Sequence, residues 1–168
     1  MKYLIIIIII FTSCQHKEEK VFDDFIFSSA GLHYDYSMKF SNNDTVYFQK
    51  RFPEPIENYY SLIEKNDRIQ LDRFINKLDF TKYDTIYAQE NLMDGGSLLF
   101  NITKQKENNW LFIYGHKAPK EILTFATWLN GFKEKQKLNR SLKDIDFGNL
   151  RYILPPPPPP LRDTVIYK

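Results

Sequence analysis

The stretch His33-Tyr34-Asp35-Tyr36-Ser37-Met38-Lys39-Phe40 constrains this chain more than any other. Tyr34, Tyr36, Met38 and Phe40 alternate with His33, Asp35, Ser37 and Lys39. A sustained period of two is the mark of a strand buried on one face and wet on the other. Asn42-Asn43-Asp44 then supplies turn chemistry, and residues 45–50 return as the partner strand. Ahead of them, residues 21–29 read as a first strand, with Ala30-Gly31 as a break. Half-buried hairpins of this kind need something to cover their apolar face.

Two amphipathic stripes supply the cover. Leu71, Phe74, Ile75 and Leu78 recur at i, i+3, i+4 and i+7, which predicts a helix of about three turns capped at Asn66-Asp67. Pro119 suits the first turn of a second helix. Its stripe is Ile122, Phe125, Ala126, Leu129 and Phe132, closing near Gly131 or in the basic run behind it. Between the helices, Asp94-Gly95-Gly96 reads as a hairpin turn, residues 97–103 as a strand, 104–109 as an exposed loop and 110–115 as a strand. The run Trp110 to Tyr114 is apolar throughout, so cover on both faces is expected. Residues 52–65 fit two patterns: Ile56, Tyr59, Tyr60 and Ile63 have helical spacing behind Pro55, while the composition of residues 59–63 favours a strand, the reading adopted.

The expectation is an α+β fold, an antiparallel sheet built from hairpins with two amphipathic helices packed on one face. The two helical stripes are alike, as tandem hairpin-then-helix units would make them, but any amphipathic helix has this pattern. Residues 150–154 read as a further strand. Pro155 to Pro160 must adopt polyproline II, spanning about 19 Å, and cannot lie inside a sheet because they have no N–H to donate. Such a run either docks in an aromatic groove of a partner or packs as a stiff strap on the chain's own aromatics, the expected case.

The N-terminus carries an address. Lys2 precedes an uninterrupted apolar run from Leu4 to Phe11, then small Thr12 and Ser13, then Cys14. A positive start, a short apolar run and a small-residue cleavage zone make a secretory signal, and the run is too short to span a bilayer. Phe11-Thr12-Ser13-Cys14 resembles the lipobox of bacterial membrane lipoproteins, with Phe11 where leucine is usual. The resemblance implies cleavage before Cys14, diacylglycerol on its thiol and an acylated amine. Cys14 is the only cysteine, so it has no disulfide partner within the chain. Gln15-His16-Lys17-Glu18-Glu19 resembles the export signal of surface lipoproteins from Bacteroidota-type bacteria. The organisation expected is a signal peptide at 1–13, a polar tether at 14–20, a single α+β domain at 21–154 and a polyproline strap with an extended tail at 155–168. The protein is expected to be held in the outer membrane by acyl chains on Cys14, facing the periplasm or the cell surface.

Charge excludes one partner class. With 23 basic and 21 acidic residues and no block of like charge, no nucleic acid is expected. The other candidate sites are thin. His33 and Asp35 would share a wet strand face, but two ligands fall short of the three or four a metal site needs. His116 stands alone at the start of the second helix. Asp94-Gly95-Gly96-Ser97 lacks the patterns of phosphate-binding and nucleophile loops. Asp23 and Asp24, as strand neighbours, point to opposite faces and so make no acid–base pair. No catalytic residue, metal or cofactor is therefore expected, which leaves Cys14 as the one site residue. The function expected is a non-enzymatic binding module for an envelope protein or glycan. The alternative is a structural or immunity-type protective lipoprotein. An exposed aromatic row would favour the first, and a strongly acidic patch the second.

Overall fold

A computed structural model describes residues 21–154. The signal segment, Cys14, His16 and the proline run with its tail lie outside these residues.

The fold is α+β: an eight-stranded, mostly antiparallel sheet with two helices. β1 (Asp24–Gly31), β2 (Tyr34–Ser41), β3 (Thr45–Phe52) and β4 (Glu57–Leu62) form a continuous antiparallel meander. β2 carries most of the alternation read from the sequence, but Tyr34 is exposed and Ser37 buried. Tyr36, Met38 and Phe40 are buried and register with Ser29, Phe27 and Phe25 of β1. Residues 57–62 are strand, as their composition indicated. The first unit is thus four strands, as the reading of residues 21–65 has it. Ala30-Gly31 stays within β1, and the chain reverses at Leu32-His33 instead.

After β4 the chain must cross to the opposite edge. Helix α1 (Lys65–Lys77) carries it to β5 (Ile86–Ala88), through a short 3-10 turn at Phe80–Lys82. The helix begins one residue before the expected cap, with Glu64 at the N-cap position. β6 (Ser97–Lys104) and β7 (Glu107–Tyr114) form the second hairpin, and helix α2 (Lys120–Lys135) returns the chain to β8 (Asn139–Ser141). The strand order is β5-β7-β6-β1-β2-β3-β4-β8. β5 pairs with β7 in parallel, so the sheet departs from the fully antiparallel one expected. Three-residue β5 and β8 offered too little pattern to be read in advance.

Two loops also differ from expectation. The connection in the second hairpin is only Gln105-Lys106, both at positive φ (51° and 71°), and not an exposed loop over 104–109. That geometry is a type I′ turn, normally marked by Asn or Gly, which this chain lacks there. Asp94-Gly95-Gly96 is not a hairpin turn but the loop leading into β6. A Cβ on Gly95 would press into Leu92 and lie 2.9 Å from the Tyr114 ring, so the loop packs closely here.

Both helices cover the same face of the sheet. Ile122, Phe125, Ala126, Leu129 and Phe132 of α2 are all buried, and Gly131 lies within the helix rather than ending it. They share one cluster with Leu71 and Ile75 of α1 and with Phe25, Phe27, Phe40 and Phe100 of the sheet. Phe125 is its hub, stacked on Phe25 with ring centroids 5.4 Å apart and on Phe74 at 4.8 Å. Burying each such ring contributes about 1.5–3 kcal/mol.

The opposite face is covered differently. Residues 142–154 run back across it without regular secondary structure until a turn at Leu150–Leu154, where both Ile153 and Leu154 donate to the Leu150 carbonyl. Residues 150–154 are therefore a turn and not the strand expected. The path follows one row of aligned positions, Tyr60, Tyr47, Lys39, Ile26, Asn101 and Trp110, from β4 to β7. Five strand spacings make about 24 Å, well within the reach of a segment of this length. Asn58 donates to the Lys143 carbonyl (3.0 Å), Lys39 to the Asp146 carbonyl (3.1 Å), and Tyr152 stacks on Trp110. Phe147 and Ile153 are buried, as are Ile26 and Leu99 beneath this face. The double cover expected for residues 110–114 thus comes from α2 on one side and Tyr152 on the other.

Candidate binding cleft

Between this crossing segment and the sheet lies a cleft of about 530 Å³, within the range of small-molecule sites. Its floor is the outer face of β1, β2, β6 and β7. Asp24 registers with Thr103, and Thr103 with Asn108, while Ile26 registers with Asn101, and Asn101 with Trp110. Period two therefore brings the side chains of both rows to one side. Its wall is the crossing segment, with Asp146, Gly148, Asn149, Arg151 and Tyr152. Gly148 sits at φ +67°, a left-handed conformation that lets the segment bend close over Ile26 and Asn101.

The polar groups of the cleft are organised among themselves. Lys39 lies 3.6 Å from Asp24 and also donates to the Asp146 carbonyl, joining sheet to wall. Asn108 donates to Asn101 Oδ1 (2.7 Å) and to Thr103 Oγ1 (3.3 Å). Asp146 accepts from the Gly148 N–H, and Asn149 from the Arg151 N–H, each fixing a local turn. The Arg151 guanidinium donates to Tyr152 Oη (2.6 Å) and lies 4.6 Å over a tyrosine ring, that of Tyr152 itself. Tyr152 in turn stacks on Trp110, with centroids 4.6 Å apart and planes 20° from parallel. Asp24, Asp146, Lys39 and Arg151 balance in charge.

A second hollow of about 320 Å³ opens where β2 and β3 meet α2, among Tyr34, Tyr36, Phe48, Phe52, Tyr59 and Lys133. The Lys133 ammonium lies 4.6 Å from the Tyr36 ring centre. Tyr36 donates its hydroxyl to Asn130 Oδ1, and burial holds its phenol well above the ordinary range.

The residues weighed from sequence fall elsewhere. His33 is in the β1–β2 turn and not on the wet face of β2. Asp35 instead pairs with Arg51, so the two do not converge. His116 is exposed in the loop before α2, its backbone N–H bonded to Gln89. Asp23 precedes β1 and donates its N–H to the Thr103 carbonyl, whereas Asp24 lies in the cleft. Among the described residues no group of three or more His, Cys, Asp or Glu is placed to hold a metal ion. Nor is any helix among them long and apolar enough to cross a membrane. Sequence reasoning missed Asn101, Thr103, Asn108, Trp110 and Tyr152 as a group. The period of β6 and β7 carried a partial signal: Ser97, Asn101, Thr103 and Asn108 share one face, but Lys104, Glu107 and Asn109 fall on the other.

Compared with models of known protein families and with curated proteins, the chain matches none.

Proposed function

We propose that this protein is a lipid-anchored binding module of the bacterial cell envelope that holds an envelope component, protein or glycan, without transforming it. The cleft under the crossing segment carries the reading: a walled site of ligand size whose charged groups are engaged by partners within the protein. An acid–base or nucleophilic centre needs a group convergent on substrate. Here the lysine and the arginine instead serve to hold the wall in place.

The anchor and the cleft fit together by length. Asp24, at the cleft, follows Cys14 by ten positions. A chain of that length spans at most about 36 Å when fully extended. With acyl chains on Cys14, the cleft stays near the membrane surface, within reach of molecules attached to the same bilayer. Several acyl chains hold a protein far more firmly than one, each buried CH₂ contributing about 0.8 kcal/mol.

Intact mass and membrane fractionation of the wild type beside Cys14→Ala test the anchor, with protease shaving of whole cells to locate the domain. A lipid-sized mass increment and membrane retention, both lost in Cys14→Ala, are expected. Equal mass and equal partition of the two proteins would refute the anchored reading.

A further inference from the structure

We infer that the ligand of this cleft is a short, uncharged oligosaccharide. The inference rests on the reading of the cleft as the binding site and narrows it to one chemical class.

Three observations converge. The first is charge. The cleft's two acids and two bases offset one another, and the cations are held by Asp24, the Asp146 carbonyl and Tyr152. A phosphate or acidic sugar would have to compete with Asp24 for Lys39. Recognition of such anions elsewhere uses a forked arginine aimed at the ligand, whereas the Arg151 guanidinium sits over a ring of the wall itself.

The second is the pattern of donors and acceptors. Asn108 gives N–H bonds to Asn101 Oδ1 and Thr103 Oγ1. An amide has both two donors and an acceptor, so this bonding leaves the Asn101 amide N–H groups and the Asn108 carbonyl for another partner. Neighbouring donors and acceptors match adjacent sugar hydroxyls, each of which gives one hydrogen bond and takes another.

The third is the aromatic wall. Trp110 and Tyr152 form a rigid stack at one end of the floor. With the Tyr152 faces taken by Trp110 and Arg151, the half-exposed edges of the stack border the amides and suit the C–H face of a sugar ring, whose rim is polar. A peptide is disfavoured by the same floor. Extended peptides bind at open strand edges or in polyproline grooves, while here β1, β2 and β6 have neighbours on both sides.

The test uses the full lipidated chain in detergent micelles on an array of neutral and acidic oligosaccharides, with peptides as a third set. Asn108→Ala is the informative variant, because Asn108 is exposed and its loss leaves the core intact. Thr103→Val supports it, and Phe52→Ala at the second hollow is the control. The expected result is binding to neutral oligosaccharides, about tenfold weaker in Asn108→Ala and unchanged in Phe52→Ala. Selective binding of acidic sugars or peptides that Asn108→Ala still weakens would overturn the ligand class and leave the cleft as the site. Binding insensitive to Asn108→Ala and Thr103→Val but lost in Phe52→Ala would overturn both. Failure to retain any oligosaccharide overturns the inference, while the Cys14 measurement of membrane location stands apart.

Discussion

Tyr152 lies flat on Trp110, and that stack is where the crossing segment is fastened to the far side of the sheet. Aromatic pairs of this geometry contribute about 0.5–1.5 kcal/mol beyond the area they bury. Tyr152→Ala should therefore cost about 1–2 kcal/mol in urea unfolding, with faster amide exchange over residues 143–153. Tyr152→Phe keeps the stack and loses only the hydroxyl that accepts from Arg151, so its exchange should stay close to wild type. Equal loosening in both variants would show that the stack is not the fastening.

A second relationship holds the same face further along. Arg51 of β3 is buried, paired with Asp35 and bonded to Ser37 Oγ at 2.8 Å. Removing one partner of such a pair strands a buried charge, at about 3–5 kcal/mol, whereas replacing both with apolar groups is often close to neutral. Arg51→Met alone is expected to be strongly destabilising, and Asp35→Leu with Arg51→Met to recover most of the loss. Denaturation of the two singles and the double measures this directly. Additive losses would contradict it.

Alkaline stability should depend on Tyr36. An unfolded tyrosine gives up its proton near pH 10, while burial keeps the folded phenol protonated well beyond that. Its folded pKa is raised, so the stability it contributes is complete below pH 10 and is lost as pH rises above it. The melting temperature should fall more steeply from pH 10 to 11.5 in the wild type than in Tyr36→Phe. At neutral pH, Tyr36→Phe loses the bond to Asn130, worth about 1 kcal/mol. Parallel curves for the two proteins would place the alkaline sensitivity elsewhere.

The helix-side half of this fold was legible because its elements obey one period each. β2 buries Tyr36, Met38 and Phe40 at alternate positions, with Tyr34 exposed and Ser37 buried as its exceptions, and all five residues of the α2 stripe are buried as their spacing implied. What failed was local chemistry overridden by tertiary pairing. Gln105-Lys106 makes a tight turn because β6 and β7 are held in register on either side, not because these residues favour positive φ. Residues 150–154 have the composition of a strand, yet Tyr152 and Ile153 are used to cover another face. The cleft was hidden for a related reason. Its floor comes from strands far apart in the chain, and no local window contains Asp24, Asn101 and Tyr152 together.

Hydrogen exchange of the full lipidated chain tests the account most directly, measured with and without neutral oligosaccharides released from the host envelope. Slower exchange is expected across residues 145–152 and the facing parts of β6 and β7, with β3 and β4 unchanged. Protection confined to the hollow around Tyr34 and Phe52, or none at saturating oligosaccharide, would contradict it.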